Sequence, residues 1–175
     1  MLLTLAKIVN FEEPFLLTVY ASSREDEMRL VPWNDEQKRA FLEMQLLAQH
    51  QYYFSRYPAA SYEIINLAQQ PIGRLYVDRS GETIKILDIT ILPEYRSKGA
   101  GGKIVAEIMR EGEQTNKPVE IYVENFNHSA KFFARLGFEP VAEEGFHVLW
   151  QWKPTAKTET TTKTETTAKK AMINA

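Results

Sequence analysis

The chain contains no cysteine, which excludes disulfides, thiolate metal sites and cysteine nucleophiles and leaves a reducing and an oxidising compartment equally open. It also lacks an excess of either charge. Against 21 Lys and Arg stand 23 Asp and Glu, a formal net charge of -2, too little to draw the protein as a whole to nucleic acid or to an acidic membrane surface. Partners must be recognised locally. No apolar run approaches the roughly 18 to 20 residues of a membrane span, and the N-terminus has no basic segment leading into an apolar stretch and a cleavage site. We therefore expect a cytoplasmic protein that does not enter a membrane. The three histidines, His50, His128 and His147, have no metal-ligand spacing and no carboxylate cluster accompanies them, so no metal is expected. Glycine is scarce as well, and three of the eight fall within residues 99–102.

What is present describes one ordinary domain. With 175 residues, 44% hydrophobic and 25% charged, the chain can bury a real core. The folded unit is expected over 1–154. Residues 155–175, TAKTETTTKTETTAKKAMINA, are too poor in apolar side chains to offset their ordering entropy and read as a disordered tail.

Within the folded unit, Leu2 to Val9 reads as a strand, and Glu12-Glu13-Pro14 opens a short helix to about Ala21. Asn34, with Gln37 three residues later, caps a long helix carrying Phe41, Leu42, Leu46 and Leu47. Three strands follow over Tyr62–Ala68, Ile72–Asp78 and Thr83–Leu92, separated by turns at Gln69-Gln70-Pro71 and Arg79-Ser80-Gly81-Glu82. A helix from Gly99 to Gln114, a strand Val119–Glu124, a short helix Ser129–Leu136 and strands Phe138–Val141 and His147–Trp152 complete the order. This predicts an α/β protein with a mixed, mostly antiparallel sheet and helices on both faces.

The stretch PEYRSKGAGGKI, Pro93 to Ile104, lies between an apolar strand and a helix. The first helical N–H groups have no intrahelical partner there. Together with the positive end of the helix dipole, Arg96 and Lys98, they form an anion site suited to phosphate or pyrophosphate. Two familiar glycine motifs do not fit. A Walker loop needs glycine where Ser97 stands and Ser or Thr where Ile104 stands; a dinucleotide fingerprint needs a third glycine at Ile104.

What survives, Arg96-x-x-Gly99-x-Gly101 after a strand and before a helix, resembles the coenzyme A pyrophosphate motif of the GNAT family of N-acetyltransferases. Asp88 to Arg96 resembles that family's fourth strand with its proline exit. Val123 to Phe138, VENFNHSAKFFARLGF, resembles its second signature, a short helix ending in Leu-Gly-Phe. The likeness extends over the element order from about residue 2 to 154. It implies a sheet splayed at the coenzyme, acetyl-CoA as co-substrate, and transfer of acetyl to a primary amine of a small molecule or a peptide N-terminus. An acyl-CoA-binding module without turnover is the alternative.

The resemblance assigns coenzyme contacts to Ile89, Thr90 and Ile91 on the strand, to Arg96, Ser97, Lys98, Gly99, Ala100, Gly101, Gly102 and Lys103 at the turn, and to Asn127 and Phe133. Phe133 stands where the family usually has a tyrosine able to protonate the leaving thiolate. The glutamate that some members carry on the fourth strand has no equivalent, since Lys85 and Leu87 occupy its positions. Simple alternation turns Asp88 away from Leu87, unless a bulge reverses it. Asp88, Glu124 and His128 are candidate general bases. Tyr53, Tyr57 and Tyr62, in the aromatic segment His50 to Ile64, are candidate walls of an acceptor pocket. A site without an evident base favours an α-amine, with a pKa near about 8, over a lysine near about 10.4. The protein is expected to act as a monomer or homodimer, without nucleic acid.

Overall fold

The computed structural model describes residues 2–125 and 127–155; the tail expected over 155–175 lies, beyond Thr155, outside them. The chain runs β1 (Leu3–Lys7), α1 (Pro14–Ser23), α2 (Glu25–Arg29), α3 (Asp35–Arg56), β2 (Ser61–Leu67), β3 (Gln70–Asp78), β4 (Ile84–Ile91), α4 (Ala100–Thr115), β5 (Val119–Glu124), α5 (Ser129–Arg135), β6 (Glu139–Glu144) and β7 (His147–Trp152). The seven strands form one sheet in the order β1-β2-β3-β4-β5-β7-β6. Every pairing is antiparallel except β4 with β5, the pair that α4 connects. The expected mixed sheet with helices is therefore observed.

Local chemistry sets the helix starts. Asn34 accepts from the Gln37 N–H at 2.8 Å, and the Gln37 side chain accepts from the Asn34 N–H at 3.0 Å; removing such a cap costs about 1 kcal/mol. Pro14 occupies the first turn of α1, where its missing N–H is not needed. One helix more is present than the sequence predicts. α2, EDEMR, has one apolar residue and is held by Arg29 pairing with Glu25 at 2.7 Å and Asp26 at 3.2 Å, so no periodic apolar signal betrays it.

The sheet is covered on both sides. One core, under α4 and α5, gathers Leu75, Val77, Ile86, Val105, Val119 and Phe133. The other, under α1 and α3, gathers Leu16, Tyr20, Leu42, Leu46, Ile64 and Tyr76. Lying between them, β3 is buried from Ile72 to Asp78.

Two irregularities shape β4. Tyr76 pairs with Asp88 but Val77 pairs with Ile86, so Leu87 is an extra residue, a bulge. Ile86 accordingly packs on the α4 side while Leu87 packs on the α3 side. Asp88 reaches Arg74, whose guanidinium lies over Tyr20 and Tyr76 on that same side. Simple alternation, which sets Asp88 opposite Leu87, is thus corrected by the bulge. At Gly73 the neighbouring strand approaches so closely that a Cβ would stand 2.2 Å from the Thr90 carbonyl oxygen; only glycine fits.

Candidate functional site

β4 and β5 pair from Ile84↔Val119 to Ile86↔Ile121 and then part. Beyond that point β4 continues to Ile91 and β5 to Glu124, leaving a V-shaped opening. Leu92 sends its N–H to the Ile72 carbonyl of β3 at 2.9 Å. Alternation then turns the backbone groups of Asp88 and Thr90 toward β3 and those of Ile89 and Ile91 toward the opening. An unpaired strand edge of this kind can accept an extended, amide-bearing chain as it would another strand. Its two ends are already engaged: the Tyr53 hydroxyl donates to the Leu87 carbonyl at 2.9 Å, and Arg96 Nε to the Ile91 carbonyl at 2.6 Å.

A cavity of about 650 Å³ fills the opening, bounded by β4, β5, the start of α4 and the α5 aromatics Phe132 and Phe133. At the α4 end, Ser97 and Gly99 both adopt left-handed backbone, with φ 58 and 85. Ser97 tolerates this at some cost; glycine adopts it freely. The first intrahelical acceptor is Gly99, reached by Lys103 N–H at 3.1 Å, so the N–H groups of Ala100, Gly101 and Gly102 remain available. No side chain caps them. Ala100, Gly101 and Gly102 all line the cavity. Lys98, its Nζ 5.7 Å from the Tyr95 ring centroid, and Lys103 are exposed beside them. Free N–H groups at the positive end of a four-turn helix, with cations beside them, are the chemistry that an anion favours.

The opposite wall of the cavity comes from α1, α3 and β3. Arg74, 1% exposed, donates from Nη2 to Asp88 Oδ2 at 2.7 Å, from Nε to Asp88 Oδ1 at 3.3 Å, and from Nη2 to Gln49 Oε1 at 2.9 Å. Thr90 Oγ1 donates to Asp88 Oδ1 at 2.8 Å. Burial works against the Arg74 charge, but the Asp88 carboxylate together with the Tyr76 and Tyr53 hydroxyls outweighs it, and the guanidinium is held above its ordinary pKa. Burial, with Asp88 nearby, pushes the Tyr53 hydroxyl up, so it keeps its proton. Behind this wall His50 Nε2 shares a 2.9 Å hydrogen bond with Tyr76. Burial and then Arg74 lower that imidazole to about 4.

A second cavity of about 310 Å³ is lined by Tyr52, Tyr57, Lys85, Glu120 and Glu144, and shares Tyr53, Leu87, Tyr122 and His147 with the first. The two meet where the strands part.

The sequence candidates distribute as follows. Residues 89–91, Arg96, Ser97, 99–102, Asn127 and Phe133 line the larger cavity; Lys98 and Lys103 stand outside its lining. Asn127 spends its Oδ1 on the Ser129 N–H at 2.9 Å, starting α5. Phe133 is buried edge-to-face against Phe132 and Phe138. Of the base candidates, His128 is exposed at the start of α5, Glu124 pairs with Arg24 at 3.3 Å, and Asp88 is held by Arg74 and Thr90. Tyr53 lines both cavities and Tyr57 the second. Tyr62 lines neither, because its ring packs among Phe11, Phe54 and Tyr76 and its hydroxyl donates to the Tyr57 carbonyl. Sequence reasoning did not find Arg74, Gln49, Arg24 or His147. His147 pairs with Glu124 across β7 and β5, and only that register brings it to the site. Among the described residues no group of three His, Asp or Glu is placed to hold a metal ion, and no helix is long and apolar enough to cross a membrane.

Comparisons with known proteins bear on the family and the fold. The model of the acetyltransferase (GNAT) family matches residues 16–138. Among solved structures, PaiA N-acetyltransferase from Thermoplasma acidophilum in complex with coenzyme A is 15% identical, with a TM-score of 0.64 over 87% of this chain and 99% of that one. An acetyltransferase from Thermus thermophilus is 19% identical, with a TM-score of 0.65 over 87% and 97%. The ribosomal-protein-S18-alanine N-acetyltransferase of Escherichia coli is 12% identical, with a TM-score of 0.60 over 90% and 98%. At such identities the likeness is one of fold. No curated protein matches the sequence.

Proposed function

The chain belongs to the acetyltransferase (GNAT) family, and from that premise we propose that it transfers acetyl from acetyl-CoA to a primary amine of a small molecule or a peptide N-terminus. The observation that carries the reading is the continuity of the strand opening with the glycine cradle in one cavity. A single extended ligand with amides at one end and a pyrophosphate at the other matches both. Ile89 and Ile91 offer the backbone pairing for pantetheine. The turn from Arg96 to Gly102, with Lys98 and Lys103 beside it, offers N–H groups and cations for the pyrophosphate, and Asn127 flanks the coenzyme from the turn just before α5.

Catalysis is then mostly positioning, because the thioester is already activated. The amine nitrogen attacks the carbonyl carbon, the C–N bond forms as the C–S bond breaks, and the amine loses one proton while the thiolate leaves. Asp88 is a poor receiver for that proton, since Arg74 and Thr90 occupy both carboxylate oxygens. Glu124, His128 and His147 line the same cavity and are the better placed groups. Phe133 has no proton to give. Tyr53, whose hydroxyl donates to the Leu87 carbonyl, holds its proton and so suits an acid rather than a base. The second cavity, with its tyrosines, offers the acceptor a route to the opening from the other direction.

Thermal shift with acetyl-CoA tests the donor: saturation at about 100 times Kd adds about 2.7 kcal/mol, and no stabilisation at millimolar coenzyme would sink the proposal. Thiol release across a panel of primary amines tests turnover. The apolar Phe133 favours one rival, a coenzyme-binding module without turnover, which coenzyme binding with no thiol release would establish.

A further inference from the structure

The corner of the larger cavity farthest in sequence from the glycine turn is built by α1 and α3 over β3. Arg74 has all but 1% of its surface buried there, and its Nη1 has no hydrogen-bond partner. Its Nε and Nη2 are taken by Asp88, and Nη2 also by Gln49 Oε1. Gln49 lines the same cavity and spends its oxygen on that bond, so its Nε2 is left without an acceptor among the described residues. The Nη2 to Oε1 bond joins the two side chains that carry these unspent donors. Tyr20, also on the cavity wall, has the Arg74 guanidinium 5.5 Å and the Arg24 guanidinium 5.6 Å from its ring centroid.

A buried charged N–H without a partner is a costly arrangement to leave unmatched. A group that satisfies this corner must bring lone pairs and no hydrogens. A neutral amide would set its own N–H groups against one of the two donors. A carboxylate brings two acceptor oxygens and the negative charge that a guanidinium favours.

We propose that the Arg74 and Gln49 corner is a carboxylate subsite, and that the acceptor is an amine carrying a carboxylate, as in an amino acid. This rests on the acetyltransferase reading above. The cavity lined by Arg74 and Gln49 is also lined by residues 89–91 at the opening between β4 and β5, so the carboxylate subsite and the thioester share one continuous space. The subsite sorts acceptors by an anion rather than by the amine.

The test measures thiol release from acetyl-CoA by the full chain with the L-amino acids, their α-amides and the corresponding decarboxylated amines. At least one free acid is expected to exceed its amide and its decarboxylated amine by about tenfold or more in kcat/KM. Gln49→Glu retains the oxygen facing Nη2 but replaces the Nε2 donor with an acceptor. It is expected to abolish that preference through KM while leaving stabilisation by coenzyme A unchanged. The subsite is overturned if amides or decarboxylated amines react equally well, if no carboxylate-bearing amine reacts, or if Gln49→Glu keeps the preference. A chain that coenzyme A does not stabilise overturns the acetyltransferase reading itself, which distinguishes that failure from the loss of the subsite alone.

Discussion

The pH dependence of stability should report one imidazole. His50 is 3% exposed, packed against Phe11 and Phe54 and hydrogen-bonded to Tyr76, with Arg74 nearby. Its pKa falls from 6.5 in the unfolded chain to about 4 in the fold. Above pH 6.5 both states hold a neutral ring and the group exerts no penalty. Between pH 6.5 and about 4 the unfolded chain binds a proton that the fold does not, so stability is lost as pH falls, by up to about 1.4 kcal/mol per pH unit. The loss levels off near pH 4 at about 3 kcal/mol. Carboxylates titrate over part of this range, so the measurement should compare the wild type with His50→Gln, which keeps a polar partner for Tyr76. Urea unfolding at pH 7.5, 6.5, 5.5 and 4.5 would follow the difference in stability between the two. That difference should be constant above pH 6.5 and move against the wild type below it. A difference that stays flat to pH 4.5 refutes the reasoning, because it would mean that the imidazole takes up its proton in the fold as readily as in the unfolded chain.

Four further outcomes are expected. Gly73→Ala forces a contact of 2.2 Å on the Thr90 carbonyl and should destabilise by about 1–3 kcal/mol, partly offset by about 0.4–1 kcal/mol from the stiffer unfolded chain. It should also raise the KM for acetyl-CoA by displacing residues 89–91, and an unchanged melting temperature with an unchanged KM contradicts this. Gly99→Glu should raise that KM at least tenfold, with Gly99→Ala measured alongside to separate the cost of φ 85 from exclusion of the pyrophosphate; equal constants in all three proteins would show that the turn holds no phosphate. Asp88→Asn leaves the buried Arg74 cation without its counter-charge and should cost about 3–5 kcal/mol in urea unfolding, whereas a loss below 1 kcal/mol would show that Gln49 suffices. Phe133→Tyr should leave coenzyme binding nearly intact and raise kcat, and an unchanged kcat would show that protonation of the thiolate does not limit turnover.

Much of the fold was legible because local signals and element order agree. The Asn34 and Gln37 cap, the apolar runs of β2 to β4 and the glycines before α4 each mark a boundary by chemistry that acts within a few residues. The proposed coenzyme side of the site inherits that legibility, since a strand, a turn and a helix start are contiguous in the chain. The proposed acceptor side does not. Arg74 reads as the polar member of an alternating strand, yet β3 is buried on both faces, and the partner that makes its charge tolerable is Asp88 on the next strand. Asp88 faces Arg74 only because of the bulge at Leu87, which depends on pairing that no periodicity in β4 records. His147 reaches the cavity through its register with Glu124, and α2 is held by ion pairs where a sequence pattern would look for apolar spacing.

The extra residue in β4 also decides what kind of genetic change the site can survive. Exchanges of one apolar side chain for another along this strand alter volume and leave direction intact. Loss of the Leu87 codon would likewise turn neither half of the strand, because Ile86 opposite Val77 and Asp88 opposite Tyr76 would become consecutive pairs of a regular ladder. Asp88 would keep Arg74, and Ile89 and Ile91 would keep their core, but the bend that accompanies a bulge and the Leu87 carbonyl that accepts from Tyr53 would be gone. Descendants of this gene should therefore be able to lose this one residue and still fold. The length of β4 at this point would then record how the opening beside it is shaped.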